Sequence, residues 1–155
     1  MGRYAVNTSV SVEKSKAEIE GLVRRYGAEK FISGWDREQA VIGFFYRNRH
    51  IKITLELPDR GDFVQTPGGR KQRGQEAILK AWEQACRQSW RALALVIKAK
   101  FEAVESGIAT FEDEFLAYTM LPDGQTVGQF VLPQIETMIL AGTMPKLLLP
   151  GVSKK

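Results

Sequence analysis

Apolar residues recur at steps of three and four over 75–106, the longest run of the chain without glycine or proline. Leu79, Trp82, Cys86, Trp90, Leu93, Ile97, Phe101 and Val104 mark one face of a helix. A stripe of small residues, Ala81, Ala85, Ala92, Ala99 and Ala103, runs beside it with Ile78 and Val96. The combined apolar arc covers roughly half the circumference, wider than the ~100° of an ordinary surface helix. Such a helix is expected to pack against two different neighbours. At about 1.5 Å per residue it is roughly 45 Å long, which points to a projecting part, a break or an oligomer contact. The remaining arc carries Lys80, Gln84, Arg87, Arg91 and Lys98 in one strip. Lys100 falls inside the apolar arc. Its stem is expected to lie along apolar surface with the ammonium reaching water, or else to meet a carboxylate in a groove.

The rest of the chain changes period several times. Residues 4–10 read as a short extended entry. Ser11 or Ser15 then opens a helix that runs to Tyr26 on Ile19, Leu22 and Val23, and Gly27 stops it. Three strands follow at 30–33, 39–46 and 50–57. The second carries Val41, Ile42, Phe44 and Phe45 on both faces, as a central strand does. The third alternates, with Ile51, Ile53, Leu55 and Leu57 inward and Lys52, Thr54 and Glu56 outward. Arg47, Asn48 and Arg49 form the tight turn between them. The stretch 58–74 holds two prolines and four glycines and reads as a flexible basic loop. After the long helix, Thr110 and Asp113 open a short helix, and Thr126 begins a last one toward Ala141 that Pro133 kinks or restarts. Residues 144–151 form an apolar strap expected to dock on the core or on a second subunit. The fold class is α+β: an N-terminal helix, a three-stranded antiparallel meander, the long central helix and two C-terminal helices, in one domain over 1–155.

Composition narrows the chemistry. Of 155 residues, 44% are hydrophobic, enough for a real core, and the net charge of +4 fits an anionic partner without requiring one. No run is long and apolar enough for a membrane span, and the first fifteen residues lack a signal-peptide core, so a cytoplasmic setting is expected. The single cysteine, Cys86, sits on the bulky stripe and reads as a buried small hydrophobe. One histidine, His50, argues against a Cys/His zinc site and, at a hairpin beside two arginines, against catalysis by a His-activated nucleophile. Glu112, Asp113 and Glu114 resemble metal ligands but lie where a helix N-terminus favours acids. Glu56, Asp59 and Asp62 follow the third strand without the further strand that a metal nuclease site needs. No dinucleotide fingerprint or Walker lysine is present. The expectation is a protein without catalysis, cofactor or metal.

The positive signal is electrostatic. Arg47, Arg49 and Lys52 at the hairpin, Arg70, Lys71 and Arg73 in the loop, and Lys80, Arg87, Arg91 and Lys98 on the long helix are expected to converge as a phosphate-binding surface. Tyr46 and Trp35, near strand ends, are the candidate stacking platforms, against ordinary core packing for Trp35, Trp82 and Trp90.

Two segments, YAVNTSVSVEKSKAEIEGLVRRYGA at 4–28 and WRALALVIKAKFEAVESGIATFEDEFLAYTMLPDGQTVGQ at 90–129, resemble a family of small phage and prophage proteins. With the strands between them the resemblance covers most of the chain. The family carries no assigned activity, so the resemblance adds no site residue. It implies a viral or mobile-element setting, where small basic proteins serve replication, recombination or evasion of host defence. The leading expectation is therefore a nucleic-acid-binding accessory protein, with single-stranded DNA as partner. The alternative is an anti-defence protein that binds a host immune component or sequesters an anionic nucleotide signal. The long helix and the strap also point to a homo-oligomer.

Overall fold

The structure, a computed structural model, describes residues 3–144. Its elements are α1 (Val12–Arg25), β1 (Lys30–Trp35), β2 (Gln39–Tyr46), β3 (Arg49–Glu56), α2 (Gln75–Glu105), α3 (Phe111–Phe115) and α4 (Val127–Ala141). Single 3-10 turns lie at Arg60–Phe63 and Leu116–Tyr118. This is the expected α+β order.

Ser11, not Ser15, caps α1: its hydroxyl accepts from the Lys14 N–H. Ser15 is fully buried one turn on. Gly27 ends the helix at φ +98°, a conformation that favours glycine. Residues before the cap are not extended as expected. Thr8 N–H donates to the Ala5 carbonyl and Ala5 has φ +56°. The turn aims the carbonyls of Tyr4, Val6 and Thr8 at glutamines of α2.

The sheet has the order β1-β2-β3, all antiparallel, with the doubly apolar β2 in the centre. Arg47 and Asn48 both adopt positive φ, the geometry of a two-residue hairpin turn. Ala40, Ile42, Phe44, Ile51 and Ile53 point inward and are buried. On the outward face Ile32 is 68% exposed, and Lys30, His50 and Thr54 are exposed with it.

α1 and α2 pack together against the inward face. Ile19, Leu22 and Val23 of α1 meet Trp90, Leu93, Ala94, Ile97 and Phe101 of α2 in one hydrophobic cluster. The bulky stripe is therefore the core seam, except that Leu79, in the first turns, is 38% exposed. At the other end of α2 the cluster turns aromatic. Phe101 stacks on Tyr26 at 4.5 Å between ring centroids and lies 5.0 Å from Phe115, which in turn stacks on Phe111 at 4.7 Å.

The acidic trio of α3 is used within the fold. Thr110 and Asp113 cap the helix mutually, Glu112 pairs with Arg49 at 3.1 Å, and Glu114 takes Lys100. Lys100 thus meets a carboxylate rather than reaching open water: its Nζ lies 3.2 Å from Glu114 Oε2 and 3.0 Å from the Glu114 carbonyl. Pro133 does not restart α4, which runs through it as one helix to Gly142 at φ +66°. The apolar strap lies outside the described residues apart from Met144, which is exposed.

Candidate nucleic-acid interface

The ten basic residues expected to converge are distributed over three places. The β2–β3 turn, with Arg47 and Arg49, lies at the C-terminal end of α2, because Tyr46 packs on Phe101 and Phe111 and Arg49 pairs with Glu112. Arg70, Lys71 and Arg73 directly precede the N-terminal end of α2. About 40 Å of helix separates the two groups. Lys52 stands on the outward sheet face, in the row of Ile32 and Gly43, with the sheet between it and α2.

Half of the ten already hold a hydrogen-bond or ion-pair partner: Arg49, Arg73, Lys80, Arg87 and Arg91. The loop 58–74 is folded on itself through a capped 3-10 turn and a Gln65–Gln72 bridge, and the Arg73 guanidinium donates to the carbonyls of Phe63 and Gln65. Arg70 and Lys71 are exposed. Lys80 pairs with Glu76 on the surface, a contact of little energetic weight.

The centre of the α2 strip faces α1 and the N-terminal segment. Gln84 donates to the Val6 and Thr8 carbonyls while its Oε1 accepts from Arg87. Arg91 grips Glu18 of α1 through both terminal guanidinium nitrogens, at 2.5 and 3.1 Å. Lys98 is exposed nearby. The strip that core packing along the bulky stripe does not require is required by the helix pair beside it.

Arg91's hydrogen bond holds the Glu18 carboxyl below its ordinary value, with Lys98 and Lys14 adding to the effect. A depressed carboxyl stabilises the fold above its unfolded value and loses that contribution as pH falls through the folded one. Because Glu18 is partly exposed, Arg91→Ala is expected to cost only about 1 kcal/mol at neutral pH. Urea unfolding at neutral and acid pH checks this: the gap between wild type and variant should close once Glu18 is protonated.

A different grouping appears at the open end of the α1–α2 pair. All three tryptophans of the chain line one cleft of about 760 Å³, between the start of α1, the β1–β2 turn, the segment after β3 and the first half of α2. Trp90 forms its floor and is 2% exposed. Trp82 is half-buried, and its indole N–H donates to the Pro58 carbonyl at 2.7 Å. Trp35 is 73% exposed. It stands on the inward face of β1, opposite Ala40, at the edge-strand end where neither helix covers it. Core packing therefore describes Trp90 but not Trp35. The other expected platform, Tyr46, is half-buried against Phe111 and Phe101.

Four cations share the cleft. Lys16 lies over the Trp90 ring at 4.8 Å and Arg60 over Trp82 at 4.4 Å, distances at which cation and ring attract. Arg37, two residues after Trp35, and Arg87 complete the set. Four carboxylates balance them, two of which serve the backbone: Asp36 accepts from Gln39 and Glu38 N–H, and Asp59 from Gly61 N–H. Those bonds, from Gln39 first, hold the Asp36 carboxyl below its usual value, so it stays ionised and fixes the turn beneath Trp35. Cys86 forms part of the wall, with its thiol pushed up by burial. Its burial is the one expected of it.

Of the ten expected residues only Arg87 lines this cleft. Lys16, Arg37 and Arg60 come from three separate segments whose convergence no local spacing announces. The one available signal was Trp35 beside Arg37 at a strand end.

No family model, curated protein or solved structure matches this chain. Among the described residues no helix is long and apolar enough to cross a membrane.

Proposed function

We propose that this chain is a non-enzymatic accessory protein that binds single-stranded nucleic acid through the tryptophan cleft, with single-stranded DNA as the form its phage-like resemblance implies. The observation that carries the reading is Trp35. An indole 73% exposed at the mouth of a cleft floored by Trp90 is a stacking surface with no packing role to explain it. Every base has a π-face, so such a platform accepts bases regardless of sequence. Arg37 and Arg60 line the same cleft and are the cations this reading assigns to the phosphates on either side of a stacked base, and the +4 net charge favours approach of a polyanion. The cleft volume is in the range that holds a nucleotide-sized ligand.

Binding of labelled oligonucleotides over a salt series tests this. With three or four phosphates contacted, the logarithm of affinity should fall with a slope of about −2 to −3 against the logarithm of salt, roughly 20- to 60-fold between about 50 and 200 mM. No binding at low salt overturns the proposal. A second reading, capture of a free anionic nucleotide, uses the same cleft and cations. It predicts that a mononucleotide binds as tightly as an oligomer, whereas a strand-binding groove gains affinity with each added phosphate.

A further inference from the structure

We propose that α4 is the pairing surface of a homodimer, each copy laying its α4 against that of the other. The helix is a finished element. Thr126 and Gln129 form a reciprocal capping box at its start, and Gly142 closes it in the left-handed conformation. It nevertheless buries only Gly128, and it meets the body of the protein at the 3-10 turn Leu116–Tyr118. Gly128 fits closely there: a Cβ on it would lie 2.9 Å from the Ala117 carbonyl oxygen. Beyond Gly128, one side of the helix is half-buried at Val127, Val131, Gln134 and Met138, and the other positions are exposed and largely apolar, with Glu136 as the one charge. Contiguous apolar surface left exposed on a finished helix marks an interaction site.

The outward residues have a usable arrangement. Leu132, Ile135 and Ile139 follow one another at steps of three and four, the spacing that keeps a seam facing a partner helix. Leu132 is 62%, Ile135 38% and Ile139 74% exposed, with Leu140 at 84% beyond the seam and Leu116 at 56% in the turn that α4 rests on. At something under 200 Å² for each large apolar side chain these five expose roughly 500 Å². A standard interface takes about 800 Å² from each partner, and about two-thirds of a homodimer interface is apolar. The exposed patch therefore matches one half of a stable dimer.

Charge selects the occupant. An interfacial membrane helix carries Lys and Arg on its polar face, and α4 carries none. A charged partner would find nothing complementary. An uncharged seam is complementary to itself, which is what a two-fold interface requires.

Light scattering and sedimentation of the full chain at micromolar concentration test the proposal. The wild type is expected at twice the 17.4 kDa chain mass. The double variant Leu132→Asp, Ile139→Asp is expected at the single mass with unchanged circular dichroism, since neither side chain enters the core. The milder Ile139→Lys should raise the dissociation constant at least tenfold. A wild type at 17.4 kDa throughout means that something else covers α4, and it overturns the proposal. Variants that remain as paired as the wild type overturn it too, by placing the interface elsewhere.

Discussion

Phe101→Ala is expected to destabilise the protein by about 3–5 kcal/mol, the largest effect of any single substitution discussed. Phe101 is 1% exposed on the last turns of α2, and its ring is shared by every element at that end of the molecule. Tyr26 after α1 stacks on it at 4.5 Å, Phe44 of β2 approaches to 5.9 Å, and Phe115 of α3 to 5.0 Å. Removing the ring leaves a void walled by three separate elements that cannot all close on it. The loss is a large fraction of the about 5–15 kcal/mol by which a typical domain is stable. Urea unfolding should show the midpoint collapse with the slope largely kept. Leu95→Ala is the control: the same helix, a 43% exposed side chain, and an expected cost below about 1 kcal/mol. A Phe101→Ala loss as small as the control's would mean that the aromatic cluster is not the joint between the sheet and the helices.

Trp35→Ala is expected to act in the opposite way, on ligand and not on fold. Its indole covers little of the core, so the unfolding midpoint should barely move. Stacking of one base is worth about 1–3 kcal/mol, so oligonucleotide affinity should drop roughly 5- to 150-fold. Trp35→Phe should recover part of the loss, because a smaller ring still stacks. Arg60→Ala should instead flatten the salt dependence, by about 0.7 in slope for one lost phosphate contact on a single strand. A Trp35→Ala variant that binds like the wild type would separate the cleft from nucleic acid altogether.

The two substitutions mark what the linear sequence discloses. Helical periodicity located Phe101, Ile97, Leu93 and Trp90 on one seam, because a long amphipathic helix repeats its instruction every turn. Alternation in β3 and double-sided apolarity in β2 fixed the sheet order for the same reason. The short signals at Gly27, at the Arg47–Asn48 turn and at Thr126 also correspond to real termini, each being a conformation that few residue types adopt.

The candidate site was less legible. Arg91, Arg87 and Gln84 lie on one helical strip and look like a solvated ridge, yet the strip's partner is α1, some seventy residues away in the chain. Nothing in its spacing distinguishes a cation that grips Glu18 from one that grips phosphate. Lys100 is the same case, its carboxylate supplied by α3. The hairpin and loop arginines were grouped by sign, but β2 and β3 run along α2 and carry them to opposite ends. Trp35 was recognisable as a strand-end aromatic. Its exposure follows from its place at the end of the edge strand, facing an open cleft between distant segments, a matter of packing in three dimensions rather than of local pattern.

The most direct test of the tryptophan cleft is the intrinsic tryptophan fluorescence of the wild-type protein during titration with an unlabelled deoxythymidine oligomer at low salt. The account predicts saturable quenching that is largely absent in Trp35→Phe and reversed by added salt. Oligomer binding that leaves the tryptophan emission unchanged would contradict it.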